Sequence, residues 1–166
     1  MSITGSVRLV VAAVGVAILG FGCASSRPRV EIGYQRELGV VTEHDIRNAL
    51  LPILTRHGFE IVRADGPPQI YVETQHRQRF PFSDEQEMGI SNARNRILMR
   101  GRRVPQRTNM GDLYRVEIDI QNDVQIGMGE WTNAVRTPQF LEFARGLADE
   151  LDHAVRSTTR VFDRRP

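Results

Sequence analysis

The chain contains no lysine: all 22 basic residues are arginines, set against 20 acidic residues. The pI of about 9.2 therefore reflects guanidinium groups that do not titrate. A formal net charge of +2 describes a nearly neutral chain, not a nucleic-acid-binding one. Cysteine is almost absent as well, with Cys23 alone, so no intrachain disulfide and no thiolate metal cluster can be built. The four histidines, His44, His57, His76 and His153, lack the i, i+4 spacing of a zinc-binding helix. There is no Gly-x-Ser-x-Gly elbow, no phosphate-binding loop and no dinucleotide fingerprint; Gly127-Met128-Gly129 is a lone doublet. No internal repeat or heptad run is present. These absences leave no expected metal, cofactor or catalytic residue.

The longest apolar run, Leu9 to Phe21, is also too short for a membrane span, which needs about 20 residues. Arg8 precedes it, and small Gly22 and Cys23 follow. One positive charge, a short apolar region and a small residue at the cut describe an export signal, so everything after Cys23 is expected outside the cytoplasm. The segment Leu19-Gly20-Phe21-Gly22-Cys23 resembles the lipobox of bacterial lipoproteins with a type II signal peptide. That resemblance implies cleavage before Cys23 and acylation of its thiol and amino group, as in palmitate-bearing lipoproteins. Several acyl chains on one residue suffice for stable anchoring. Under enterobacterial sorting it also implies, through Ala24 in place of Asp, a position on the periplasmic face of the outer membrane; in a single-membrane cell the position is the outer face of the plasma membrane. The alternative is a free Cys23 beside an ordinary cleavage site or in an uncleaved anchor, a lone thiol in an oxidising compartment.

Residues 1–22 thus read as signal peptide, 23–28 as lipidated cysteine and polar tether, 29–158 as one domain, and 159–166 as a fraying tail. Val30, Ile32 and Tyr34 alternate with polar residues as in a strand. Thr42 with Asp45 predicts a capped helix, and Ile46, Ala49, Leu50, Ile53 and Leu54 form its apolar stripe up to Gly58, with a kink expected at Pro52. Residues 59–63 and 70–80 predict strands, the second with Tyr71, Glu73, Arg77 and Arg79 on a solvated face. Residues 113–121 form a clean alternating strand, and Asn122-Asp123 suggests a turn into a returning partner. Thr137 and Pro138 open a closing helix.

This order predicts an α+β two-layer sandwich, a mostly antiparallel sheet with two helices on one face. The pattern of lipobox, tether, helix ending in Gly-Phe, alternating strand and closing helix resembles small α/β envelope lipoproteins, such as the lipopolysaccharide-assembly lipoproteins of the LptE type.

Between Pro81 and Asp112 the sequence suggests a long irregular stretch containing at most a short strand at 97–99. Over 77–107 there are eight arginines against Asp84, Glu85 and Glu87. Arg94, Arg96, Arg100, Arg102, Arg103 and Arg107 form the sharpest candidate for contact with an anionic ligand or partner, because guanidinium forks match phosphates and carboxylates bidentately. The plainer reading is a solvated loop paired with those three acids. Asp149, Glu150 and Asp152 read as the outward side of the last helix, and Trp131 and Tyr71 as sheet packing or interface anchors. The expected function is a non-enzymatic binding or assembly module tied to the membrane through Cys23, meeting an envelope protein, anionic lipid or peptidoglycan. The alternatives are a cell-wall enzyme or an inert tether. A deep pocket with converging polar groups would favour the enzyme, and a flat arginine-rich or apolar face the binding module.

Overall fold

The structure, a computed structural model, describes residues 33–108, 111–133 and 135–162. The signal segment, Cys23, the tether, Val30, Ile32 and residues 163–166 lie outside the described residues. Six strands, β1 (Gly33–Thr42), β2 (Ile61–Asp65), β3 (Ile70–Thr74), β4 (Arg77–Arg79), β5 (Ile90–Thr108) and β6 (Gly111–Ile126), form one open antiparallel sheet in the order β1-β6-β5-β3-β2. β4 pairs with β5 beyond β3, so β3 and β4 lie along the same side of that strand. Three helices complete an α+β fold: α1 (43–56), α2 (Ser83–Glu87) and α3 (Pro138–Phe162).

Local chemistry places α1 and α3 where the sequence predicts helices. Thr42 Oγ1 accepts from the Asp45 amide at 3.2 Å while Asp45 Oδ2 accepts from the Thr42 amide at 3.0 Å, which completes the capping box of α1. Pro52 is accommodated without a break. Residues Ile46–Leu50 are wound as a π-helix, the Leu51 amide reaching back to the Ile46 carbonyl, and Pro52 enters the first turn of the following α-helical segment, Leu51–Arg56. An amide is dispensable there. Gly58, at φ 77°, closes α1 in the left-handed region that a side chain disfavours. Thr137 Oγ1 caps α3 by accepting from the Phe140 amide at 3.3 Å. The helix continues to Phe162, into the 159–166 stretch that the sequence suggests is a fraying tail.

One face of the sheet is apolar and holds the helices. Val72, Ile97, Met99, Tyr114, Val116, Ile118 and Ile120 meet Ile46, Leu50, Ile53 and Leu54 of α1 and Phe140, Ala144, Leu147, Leu151 and Val155 of α3 in one core. A second, smaller cluster of Ile90, Ala93 and Val124, with Val135 against it, lies where β5 begins and β6 ends.

Three expectations are corrected. The stretch 81–112 is not an irregular loop: it holds α2 and all of β5, whose partners run from Ile90↔Ile126 to Thr108↔Gly111. Its inward positions include Ala93, Asn95 and Gly101, too small or polar to advertise a strand, and Pro105 falls within the register shift between Arg103 and Arg107, where no ladder amide is required. Asn122-Asp123 is not a turn: β6 passes straight through it. Both side chains are satisfied from neighbouring strands, which removes the local hydrogen bonding that would make them turn formers. The strand expected over 70–80 is interrupted, as β3 and β4.

Candidate functional site

Strand alternation sorts the six candidate arginines. On β5 the buried residues Ala93, Asn95, Ile97, Met99 and Gly101 face the helices, so Arg94, Arg96, Arg100 and Arg102 occupy the opposite face, in a row that repeats every about 7 Å and is interrupted between Arg96 and Arg100 by the buried Leu98. No described helix packs across that face. Arg103 falls on the helix side and donates to Asp112 Oδ1 at 2.8 Å. Arg107 is placed opposite Asp112 by register. Arg77 and Arg79 pair with Asn95 and Ala93, which puts them on the helix side as well, apart from the arginine row and not on the solvated face.

The row is neutralised at one end and left positive at the other. Arg94 Nε donates to Asp123 at 3.1 Å, and its guanidinium lies 4.2 Å from the Trp131 ring centre. His76 Nε2 lies 3.0 Å from the same carboxylate. Burial and the nearby Arg94 charge push the His76 pKa down, more than Asp123 draws it up. Arg96 donates to Glu73 at 3.1 Å and to Gln121 at 2.7 Å. Farther along, Arg100 stands opposite Glu117, but Arg102 stands directly opposite Arg115. Arg115 approaches the exposed Glu37, at 3.5 Å. The acids that hold the row are therefore Asp123 and Glu73 from the flanking strands, not Asp84, Glu85 and Glu87 from the preceding segment.

Glu85 has a different role, one the sequence concealed. Arg79 spends all five of its N–H donors: on both Glu85 oxygens at 2.7 and 2.6 Å, on Asn95 Oδ1 at 2.7 Å, on Asn122 Oδ1 at 2.8 Å and on the Phe80 carbonyl at 2.9 Å. Asn122 donates in turn to Glu85 at 2.9 Å, and the Phe82 amide to Glu85 at 2.8 Å. This closed network ties β4, α2, β5 and β6 together. Its only sequence trace is the acid three residues after Phe82, a position that suits the first turn of a helix.

The other polar candidates are distributed rather than convergent. Asp149 and Asp152 of α3 hold Arg36, and Glu150 holds Arg56 and His57, so this acidic face is paired across to β1 and α1. The hydrogen bond from His57 lowers the Glu150 pKa, and with help from Arg56 outweighs the opposing effect of burial. Ser91 donates to backbone carbonyls of residues 125 and 127, with no base beside it. Among the described residues no group of three His, Cys, Asp or Glu side chains could hold a metal ion. Concavities among the described residues include open surface grooves of about 360 Å³ beside Arg47 and Asp112, about 500 Å³ beside Phe82 and Phe143, and about 550 Å³ beside Gly39 and Val155. No protein-family model matches this chain, and no curated protein matches it significantly.

Proposed function

We propose that this chain is a lipid-anchored envelope protein, attached through Cys23, whose α+β domain binds a phosphate-bearing envelope component on the open face of its sheet and performs no covalent chemistry. The observation that carries the reading is the pair Arg102 and Arg115, set opposite one another on adjacent strands with Arg100 one step along the row. Like charges directly opposite in a sheet cost stability, so an arrangement that retains them is suited to an anion that bridges both. Each guanidinium presents a planar fork that a phosphate accepts bidentately. The open grooves and the dispersal of titratable groups support binding over catalysis.

Two measurements test the proposal. Mass analysis of the chain isolated from bacterial membranes should show a lipid increment on a product starting at Cys23, lost in Cys23→Ala; an unmodified chain would remove the anchor. For the binding face, full-length protein in neutral detergent is titrated with lipid A. Arg100→Gln with Arg102→Gln should weaken binding by roughly tenfold or more, and added salt should weaken the wild-type interaction. An affinity that neither the substitutions nor salt changes, or no binding at all, would sink the anionic ligand.

A further inference from the structure

Four of the five large apolar side chains that stand exposed on the described surface, Phe80, Met88, Ile126 and Met128, belong to one end of the sheet; the fifth is Val62 on the edge strand β2. Topology gathers them. Ile126 pairs with Ile90, Met88 lies two residues before that pair, Met128 two residues after it, and Phe80 follows Arg79, which pairs with Ala93. Strand spacing puts the Phe80 and Ile126 backbones about 10 Å apart across β5. Phe80 is 93% exposed and Met128 fully so. Beneath this tip lies the small cluster of Ile90, Ala93, Val124 and Val135, which gives the exposed side chains a packed base.

We infer that this apolar tip is a second membrane contact, dipping into the interfacial region of the bilayer that the Cys23 acyl chains enter. The inference rests on the lipid-anchor reading. Chain direction selects the bilayer as the occupant. β1 starts at Gly33, which pairs with Gln121 near the tip end of β6, and runs away toward Leu113, so the chain enters the fold at the same end as the tip. Nine residues lie between Cys23 and Gly33, ten steps along the chain and a reach of at most about 36 Å when extended. A tether of that length and attachment point holds the tip end toward the surface that carries the lipid. Apolar side chains at an interface add affinity in proportion to the area they bury, on top of what the acyl chains supply. Glu87 and Glu130 are exposed nearby, so attraction to anionic headgroups does not drive the contact. It should form on neutral lipid and persist in salt, unlike binding at the arginine face.

The test uses the full-length membrane-isolated protein reconstituted into phosphatidylcholine vesicles, carrying Met128→Cys labelled with a polarity-sensitive fluorophore. Gln69→Cys, in the β2–β3 connection at the opposite end of the sheet, is the control. The Met128 probe should shift to the blue and be quenched severalfold more by lipids brominated on their acyl chains than the Gln69 probe, equally in low and high salt. Equal quenching of the two probes by aqueous iodide, with none by brominated lipid, would overturn the inference. So would a blue shift seen in whole envelopes but not in pure vesicles, since a protein would then cover the tip. Label stoichiometry separates this from failure of the anchor: an acylated Cys23 has no free thiol, so two labels per chain would report an unmodified Cys23 whatever the quenching shows.

Discussion

Arg79 grips Glu85 with both terminal nitrogens, at 2.7 and 2.6 Å, and the two side chains are 10% and 0% exposed. A charge pair this far from water is held by complete hydrogen bonding more than by Coulomb attraction, because each ion has lost its hydration. Removing one member strands the other. Arg79→Met is expected to destabilise the fold by about 3–5 kcal/mol, whereas Arg79→Met combined with Glu85→Leu should recover most of that loss. Urea denaturation of the three proteins measures it, and a single substitution costing under about 1 kcal/mol would contradict the role assigned to the network.

The same carboxylate sets an acid limit. Burial by itself would raise the Glu85 pKa, but hydrogen bonds from Arg79, Asn122 and the Phe82 amide outweigh it and hold the group below its ordinary value of 4.5. The unfolded chain then binds the proton first as pH falls. Its contribution to stability is complete above about 4.5 and is lost as pH drops through the folded value. Denaturation midpoints between pH 3 and pH 7 should show a steeper acid decline in wild type than in the Arg79→Met, Glu85→Leu protein. Parallel profiles would be the contrary result.

Arg102 offers a trade between stability and binding. Arg102→Glu replaces a repulsive cross-strand pair with an attractive one against Arg115 and should stabilise the fold by about 0.2–1 kcal/mol. The same change should reduce affinity for lipid A. A variant that is both less stable and unimpaired in binding would refute the assignment of this pair.

Gly101 is required by close packing. A Cβ built there would lie 2.8 Å from Ile70 Cβ and 3.4 Å from Tyr114 Cβ, neither of which is the end of a flexible chain. Gly101→Ala should therefore cost about 1–3 kcal/mol by thermal unfolding, even though alanine is otherwise harmless in a strand. Gly146, on the exposed side of α3 with open space around it, should instead accept alanine with a gain of about 0.5–1 kcal/mol.

His76 should titrate below the ordinary 6.5, since burial and Arg94 lower its pKa despite Asp123. With a depressed folded value, the unfolded chain takes up the proton first, so this residue contributes a loss of stability as pH falls below about 6.5, levelling off beneath the folded value. Ring resonances followed by NMR should give a midpoint that drops further in Asp123→Asn and rises in Arg94→Gln. Movement in the opposite directions would exclude the contact geometry described for these three residues.

How much of this was legible follows from the range of each interaction. The sequence by itself determined whatever depends on neighbours a few residues apart: the Thr42–Asp45 cap, the Ile46 to Leu54 stripe, the Gly58 stop, the alternation from Tyr114 to Ile120 and the Thr137 cap. From these the α+β class and the layer of helices could be derived. Only tertiary structure decided the rest. Asn122 is a strand residue because Arg79, Asn95 and Glu85, distant in sequence, use its amide. The path of β5 is fixed by β6 on one side and by β3 and β4 on the other, since Ala93, Asn95 and Gly101 interrupt its inward apolar positions and leave only Ile97 to Met99 to mark a strand. The candidate site was half legible for the same reason. Composition picked out the arginines, but a side chain's face depends on strand register, and register separated Arg94, Arg96, Arg100 and Arg102 from Arg77, Arg79 and Arg103 and brought Arg115 across to meet Arg102.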